Sequence, residues 1–267
     1  MVTAWMQMDL IFWKMMLEKR PGDREKVAPR AASIALLGVF VFATEPCAAV
    51  DVWGGSLAVT SDYFVRGISR SNDQATPQMD LHYSNSAGFL AGVFASNTQI
   101  NSFQPRNVEL SAFMGFAWNA GEDWRTKILV SHYAYPWNKA GTQYNYDELD
   151  VDLAYQGWLH LSVGYSPNSP RYVPYPYESL IGVTEKSAEV SLQRPVVGKL
   201  SATAGVGYSF LDGPFSGGYT YWSVGGSYDL QTVSLVVSYV DTTAEAKSLF
   251  YNAAATGRWT GTVIWRF

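Results

Sequence analysis

Beyond Trp53 the apolar residues of this chain recur at every second position, segment after segment, with no helical spacing of any length. In DELDVDLAYQ, Leu149, Val151, Leu153 and Tyr155 fall on one side, and Glu148, Asp150, Asp152 and Ala154 on the other. In KLSATAGVGYSF, Leu200, Ala202, Ala204, Val206, Tyr208 and Phe210 oppose Ser201, Thr203, Gly205, Gly207 and Ser209. A period of two marks a strand with two unlike faces. Here the second face is small and polar, unlike a packed core.

Read this way the chain holds about twelve strands, over 54–66, 77–85, 88–97, 107–118, 123–134, 146–156, 158–166, 187–194, 199–210, 219–229, 232–241 and 257–267. Most approach the ~9–11 residues that a tilted membrane strand needs. The connections alternate as regularly as the side chains. Even-numbered strands are followed by tight links: NSAG, NAGED, Gln156-Gly157, PVVG and DLQT. Odd-numbered strands are followed by longer ones, such as GISRSNDQAT, the stretch 167–186 and DTTAEAKSLFYNAAAT. A soluble sandwich has no physical reason to put every long loop at one end. An outer-membrane barrel does, with short periplasmic turns and long extracellular loops. The expected fold is all-β: a transmembrane antiparallel up-and-down β-barrel of about twelve strands over residues 50–267, in the outer membrane of a Gram-negative bacterium, with both termini periplasmic.

Composition agrees. Aromatics make up 15% of the residues and charged residues only 16%, against roughly 25% charged in soluble domains. The net charge of −4 argues against a nucleic-acid partner. Aromatics gather at two levels. Trp118, Trp124, Tyr155, Trp158, Tyr228, Trp265 and Phe267 lie beside the tight turns. Tyr133, Tyr135, Tyr146, Tyr165, Tyr208, Phe210, Tyr221, Tyr239 and Trp259 lie near the long loops. Such belts suit the headgroup level of a bilayer, where one part of a ring is apolar and another wet. The final strand places Trp259, Val263, Trp265 and Phe267 on one face. Its pairing with the first strand would leave no edge in lipid. Ending on Phe is similar to the C-terminal assembly signal of bacterial barrel proteins. Expected partners are therefore outer-membrane lipid and the barrel-assembly machinery.

The first 49 residues are distinct. Lys14, Lys19, Arg20, Arg24, Lys26 and Arg30 precede the apolar run Ala31–Ala43 (AASIALLGVFVFA), and small residues follow. A basic region, a short apolar core and small residues make a secretory signal peptide. Thirteen apolar-run residues fall short of the ~20 needed for a membrane helix. Cleavage is expected after Ala49, with Ala43 the alternative, and translation from Met15 or Met16 would give a leader of ordinary length. Cys47, the single cysteine, would leave with the leader. No thiol chemistry, metal or cofactor is expected: there is no nucleotide fingerprint or phosphate loop.

The stretch VTSDYFVRGIS, from Val59 to Ser69, stands out, as does GFLAGVFASN after the next strand. Ser61, Asp62, Tyr63, Arg66, Gly67 and Ser69, together with Gly88, Phe89, Gly92, Ser96 and Asn97, resemble the opening "SDYxxRGxS" strand and "GFxxGxxxSN" hairpin of the Gcw_chp family of proteobacterial proteins. The acidic mid-chain strand YDELDVDLAY is similar to that family as well. The resemblance implies an outer-membrane barrel and implies no substrate.

Charges in a spanning strand belong in the lumen, because an Arg or Lys facing lipid at mid-depth costs about 2–4 kcal/mol. If the first strand runs to residue 66, Asp62 and Arg66 share its lumen face. Arg125, Lys127, Glu148, Asp150 and Asp152 join them, and Arg125 and Lys127 are placed to face the acids across neighbouring strands. Asp80, His82, Glu109, His160, Glu189 and Arg194 complete the set. These residues describe either a constriction with opposed charges, passing small hydrophilic solutes, or an ion-paired barrel that is plugged and acts through its loops. A catalytic role is not expected. His160 and Ser162 are two apart, similar to the His-x-Ser spacing of an outer-membrane phospholipase, but Leu159, Leu161 and Val163 take the lipid side and turn the pair inward. The Pro- and Tyr-rich stretch SPNSPRYVPYPYESL is expected to be stiff and extended. N-terminal sequencing of the protein purified from outer membranes should begin at Val50; a mature chain that retains the Ala31–Ala43 run would contradict the leader.

Overall fold

The computed structural model describes residues 51–99, 106–137, 141–173, 179–213, 216–250 and 253–267. The expected signal peptide, with Cys47, lies outside the described residues. Twelve antiparallel strands close into one barrel. They are β1 (Val52–Thr60), β4 (Thr76–Ser84), β5 (Phe89–Thr98), β6 (Asn107–Asn119), β7 (Trp124–Ala134), β8 (Tyr146–Tyr155), β9 (Leu159–Val173), β10 (Ser179–Val197), β11 (Leu200–Asp212), β12 (Gly217–Leu230), β13 (Val233–Thr242) and β14 (Arg258–Arg266). Two further strands, β2 (Phe64–Val65) and β3 (Ile68–Ser69), pair only with each other. A short helix, α1 (Ala244–Leu249), sits in the connection between β13 and β14.

Each barrel strand pairs with the next barrel strand along the chain, β1 with β4 among them, and the circle closes where β14 pairs with β1, from Ser56 opposite Arg266 to Thr60 opposite Thr262. The ladder continues to the final residue: Gly55 and Phe267 exchange two backbone hydrogen bonds, each of 3.1 Å. Closure matters because an unpaired N–H or C=O in hydrocarbon costs several kcal/mol. A cylinder removes the two edges that an open sheet would leave.

The faces sort as the alternation requires. On β8, Glu148, Asp150 and Asp152 are buried inside, while Leu149 is exposed outside. On β11, Val206 and Tyr208 face outward and Gly207, Ser209 and Leu211 inward. Around the outside run Val59, Met79, Val93, Met114, Val130, Val163, Val190, Val224, Val237 and Val263, all exposed. An apolar exterior of this extent is far beyond the patches that soluble monomers tolerate; it is the lipid-facing band of an outer-membrane barrel. At the tight-turn rim, aromatic rings touch from strand to strand: Trp53 meets Tyr83, Tyr83 meets Phe89, and Phe89 meets Phe116, at centroid distances of 5.3, 6.4 and 5.6 Å. Trp265 and Phe267 continue that rim on the outer face, 5.4 Å apart.

Three details depart from the sequence expectation. The first strand stops at Thr60, not at residue 66. The stretch 167–186 is largely strand, because β9 continues to Val173 and β10 begins at Ser179. The odd-numbered residues of β10 face the lumen without a break from Val183 and Glu185 to Ser191, so Arg194 lies outward, its guanidinium 3.8 Å from the centre of the Trp158 ring. Finally, the outer belt is thinner than expected. Tyr165, Tyr208, Tyr239 and Trp259 are on the outside, whereas Tyr133, Tyr135, Tyr146 and Tyr221 are buried within the barrel at 1–4% exposure. Tyr133 shares its parity with Lys127, Tyr146 with Glu148, and Tyr221 with Ser223, so height along the strand does not decide the face.

Replacing Val163, outward and 58% exposed, with Arg should lower unfolding stability in liposomes by about 2–4 kcal/mol, with Val163→Leu close to neutral. Equal stability of the Arg and Leu variants would contradict a lipid-facing wall.

Candidate functional site: an inward hairpin across the lumen

After Thr60 the chain turns into the barrel. Phe64 pairs with Ser69 and Val65 with Ile68, leaving Arg66 and Gly67 as a two-residue loop. Both have positive φ, 49° and 75°, the pattern of a type I′ hairpin turn, whose twist matches that of paired strands. Gly67 meets that demand without a Cβ penalty. It also sits where a Cβ would lie 2.6 Å from both Tyr221 Cβ and Thr242 Cγ2, so the turn is pressed against the β12–β13 wall.

The base of the hairpin is tied by Asp62. Its Oδ1 accepts hydrogen bonds from Ser69 Oγ (2.6 Å) and Ser71 Oγ (2.7 Å), and Oδ2 accepts one from Arg258 Nη1 on β14 (3.3 Å). Ser71 Oγ also accepts from the Tyr63 N–H, at 2.9 Å. Asp62, Arg66, Gly67, Ser69 and Ser71 thus each hold a part of one local structure, while Ser61 continues the pairing with β14, accepting from the Gly261 N–H at 2.9 Å. Asp62 is lumenal, as its charge requires, but it is spent on holding the hairpin rather than presented to a passing solute.

The tip carries Arg66 to the opposite side of the lumen. The guanidinium pairs with Glu148 on β8 through Nη2 and with Glu185 on β10 through Nη1, the latter at 2.8 Å. Room for it comes from Gly164 on β9, where an added Cβ would lie 2.8 Å from Arg66 Nη2 and 3.0 Å from Asp150 Oδ1. Arg66, Glu148 and Glu185 are all buried. Such a set is stable only as a whole, because removing one partner leaves a buried charge unmatched, at a cost of about 3–5 kcal/mol. Glu185 holds its place through hydrogen bonds from Ser169 Oγ (2.7 Å) and Ser209 Oγ (2.8 Å).

The rest of the hairpin touches the wall on several sides. Tyr63 and Val65 pack on Phe94 of β5. The Tyr63 hydroxyl donates to Glu109 Oε1 on β6 (2.9 Å), and Tyr135 donates to Glu109 Oε2 (2.5 Å). Tyr133 and Tyr146 stack beside them with centroids 4.3 Å apart. On the other side Ile68 joins Val183, Leu211, Tyr219 and Tyr221, with Ala246 of α1 and Ala255 covering the cluster. The Ser69 N–H donates to the Ala254 carbonyl at 2.9 Å.

Of the residues expected to line the passage, Arg66, Glu148 and Asp150 come together at the tip. Lys127 and Asp152 form a cross-strand ion pair at 3.2 Å nearer the tight-turn end. The β7–β8 register sets Arg125 opposite Ala154, so of the two expected cations it places Lys127 alone directly opposite a carboxylate. His160 and Ser162 face inward, opposite Ser191 and Glu189 of β10, while Val163 faces lipid. Sequence reasoning missed Glu185, which it left in a loop, and Arg258, which lies 196 residues from Asp62. It also placed the gripping tyrosines in the outer belt. A Gly-containing pair between two strand-forming dipeptides, FV-RG-IS, was the available signal for the hairpin.

Comparison with known proteins adds a fold and a family. Among solved structures, the NanC porin is similar at a TM-score of 0.52 with 7% identity, covering 80% of this chain and 98% of that one. The KdgM porin is similar at 0.48 with 10% identity, covering 81% and 99%. The likeness to the NanC porin concerns the barrel architecture alone. No curated protein sequence matches the chain. The model of one family spans residues 43–265, most of the sequence and all twelve barrel strands up to Trp265. The chain belongs to that family, Gcw_chp, a bacterial protein family of unknown function.

Proposed function

We propose that the protein is a narrow, passive outer-membrane channel for small hydrophilic solutes, with the β2–β3 hairpin as its constriction. The observation that carries this reading is the position of Arg66. A loop that folds into a barrel and sets a cation against carboxylates of the far wall narrows the lumen and creates a transverse field. Solutes then pass by diffusion, and size and charge at the narrowest level decide which of them do. Toward the tight-turn end, below the contacts of the hairpin with Tyr219, Tyr221 and Thr242, the inward wall of β11–β13 carries small residues: Gly205, Gly225, Ser223, Ser227, Ser234 and Ser238. That wall supports an open lumen below the hairpin. The lumen-facing His160 and Ser162 have no access to acyl chains, which supports transport over lipid hydrolysis.

The contacts of the hairpin with so many strands favour a second reading, in which the barrel is closed at rest and acts through its surface loops. Planar-bilayer recording separates the two. Purified wild-type protein should give discrete openings of low conductance. A variant with Phe64–Ser69 replaced by a two-residue Gly-Ser link should conduct several-fold more. A silent wild type with a conducting short-hairpin variant would favour the plugged barrel. Silence of both, with the barrels folded, would overturn the channel.

A further inference from the structure

We infer that the passage selects for cations, and that the wall formed by β8, β9 and β10 is where the positive group of a permeating solute rests; this builds on the channel reading above. The lumen faces of these strands line up in rows. Asp150 stands opposite Gly164, which stands opposite Ser187. One row nearer the tight turns, Asp152 stands opposite Ser162, which stands opposite Glu189. At the long-loop end the same wall carries Glu148 and Glu185. Carboxylates thus flank a central strip of small β9 residues.

The protein itself demonstrates what this wall accepts. The Arg66 guanidinium lies over Gly164 between Glu148 and Glu185, so one organic cation is already bound in the upper part of the strip. The lower part repeats the arrangement, with Asp150, Asp152 and Glu189 around Ser162, and the only cation paired there among the described residues is Lys127, on Asp152. Glu189 receives a long hydrogen bond from the Tyr221 hydroxyl, 3.4 Å. Asp150 and Glu189 enter no ion pair among the described residues. A second sign of an unfilled polar strip is Ser166, opposite Glu185 on the lumen side of β9. Its residue is 1% exposed, and its hydroxyl has no hydrogen-bond partner among the described residues. No group of three His, Cys, Asp or Glu among the described residues is arranged to hold a metal ion. The fitting occupant is therefore a weakly held monovalent cation or a small solute bearing an amine or guanidinium, which leaves as readily as it enters. The inward cations Arg66, Arg70, Arg125, Lys127, Arg171 and Arg258 do not reverse the sign, since the inward carboxylates Asp62, Asp80, Glu109, Glu148, Asp150, Asp152, Glu185 and Glu189 outnumber them among the described residues.

The test is the reversal potential of the folded barrel in a planar bilayer under a tenfold KCl gradient, repeated with guanidinium chloride. Potassium should permeate over chloride by about fivefold, guanidinium should pass at least as readily as potassium, and Asp150→Asn/Glu189→Gln should bring the ratio close to one. A wild-type ratio at or below one overturns the inference, as does a ratio unchanged in the double variant while current persists. If the native barrel is silent, the same measurement decides on a short-hairpin variant that also carries Glu148→Gln and Glu185→Gln, because that variant lacks the carboxylates freed by the loss of Arg66 and keeps Asp150 and Glu189 in its wall. Silence there too removes the channel reading itself, a result distinct from a conducting pore that prefers anions.

Discussion

A chain crossing a bilayer has no water to satisfy its backbone, and every other feature here follows from meeting that demand with strands. Strands satisfy one another only if the last finds the first, and β14 does so along β1 to the terminal Phe267. Once the cylinder closes, the pleat leaves each residue two choices, lipid or lumen. Val163 and Leu149 take the first; Glu148, Asp150 and Asp152 take the second. A lumen wide enough for twelve strands then holds more polar wall than its own side chains cover, and the inward hairpin occupies part of that space.

The hairpin shows how a short motif is used at long range. Asp62 folds the segment locally through Ser69 and Ser71. The type I′ turn at Arg66-Gly67 fixes the direction of the tip. The ion pairs with Glu148 and Glu185 anchor that tip on strands roughly half the barrel away from β1. Local geometry aims the arginine, and burial makes its pairing obligatory. Tyr135, just beyond β7, and the tyrosines of β7, β8 and β12 complete the grip, because a ring can fill a gap and still present a hydroxyl to an acid, as Tyr135 does to Glu109 and Tyr221 to Glu189.

Much of the barrel was legible in the sequence because period-two alternation and the alternation of short and long links report two independent constraints, the pleat and the membrane sidedness. The strand order, the inward set Lys127, Glu148, Asp150 and Asp152, and the outward Trp265 and Phe267 all follow from them. The hairpin was hidden by that same rule: residues 61–66 alternate too, so they read as a continuation of β1. Glu185 was lost because the Pro- and Tyr-rich stretch 167–186 reads as a link, and an irregularity in β9 between Ser166 and Ser169 interrupts the alternation there. Tyr133, Tyr146 and Tyr221 were assigned by height and not by parity. Arg258 and Asp62 meet only through closure, which no local pattern encodes.

The central claim is that Arg66 lies buried against Glu148 inside the cylinder. A double-mutant cycle of Arg66→Ala and Glu148→Ala, read by reversible unfolding in lipid, tests it directly. The structure predicts clear non-additivity, with each single change costly and the double change costing less than their sum by about 1–3 kcal/mol. Costs that simply add would place the arginine elsewhere and contradict the account.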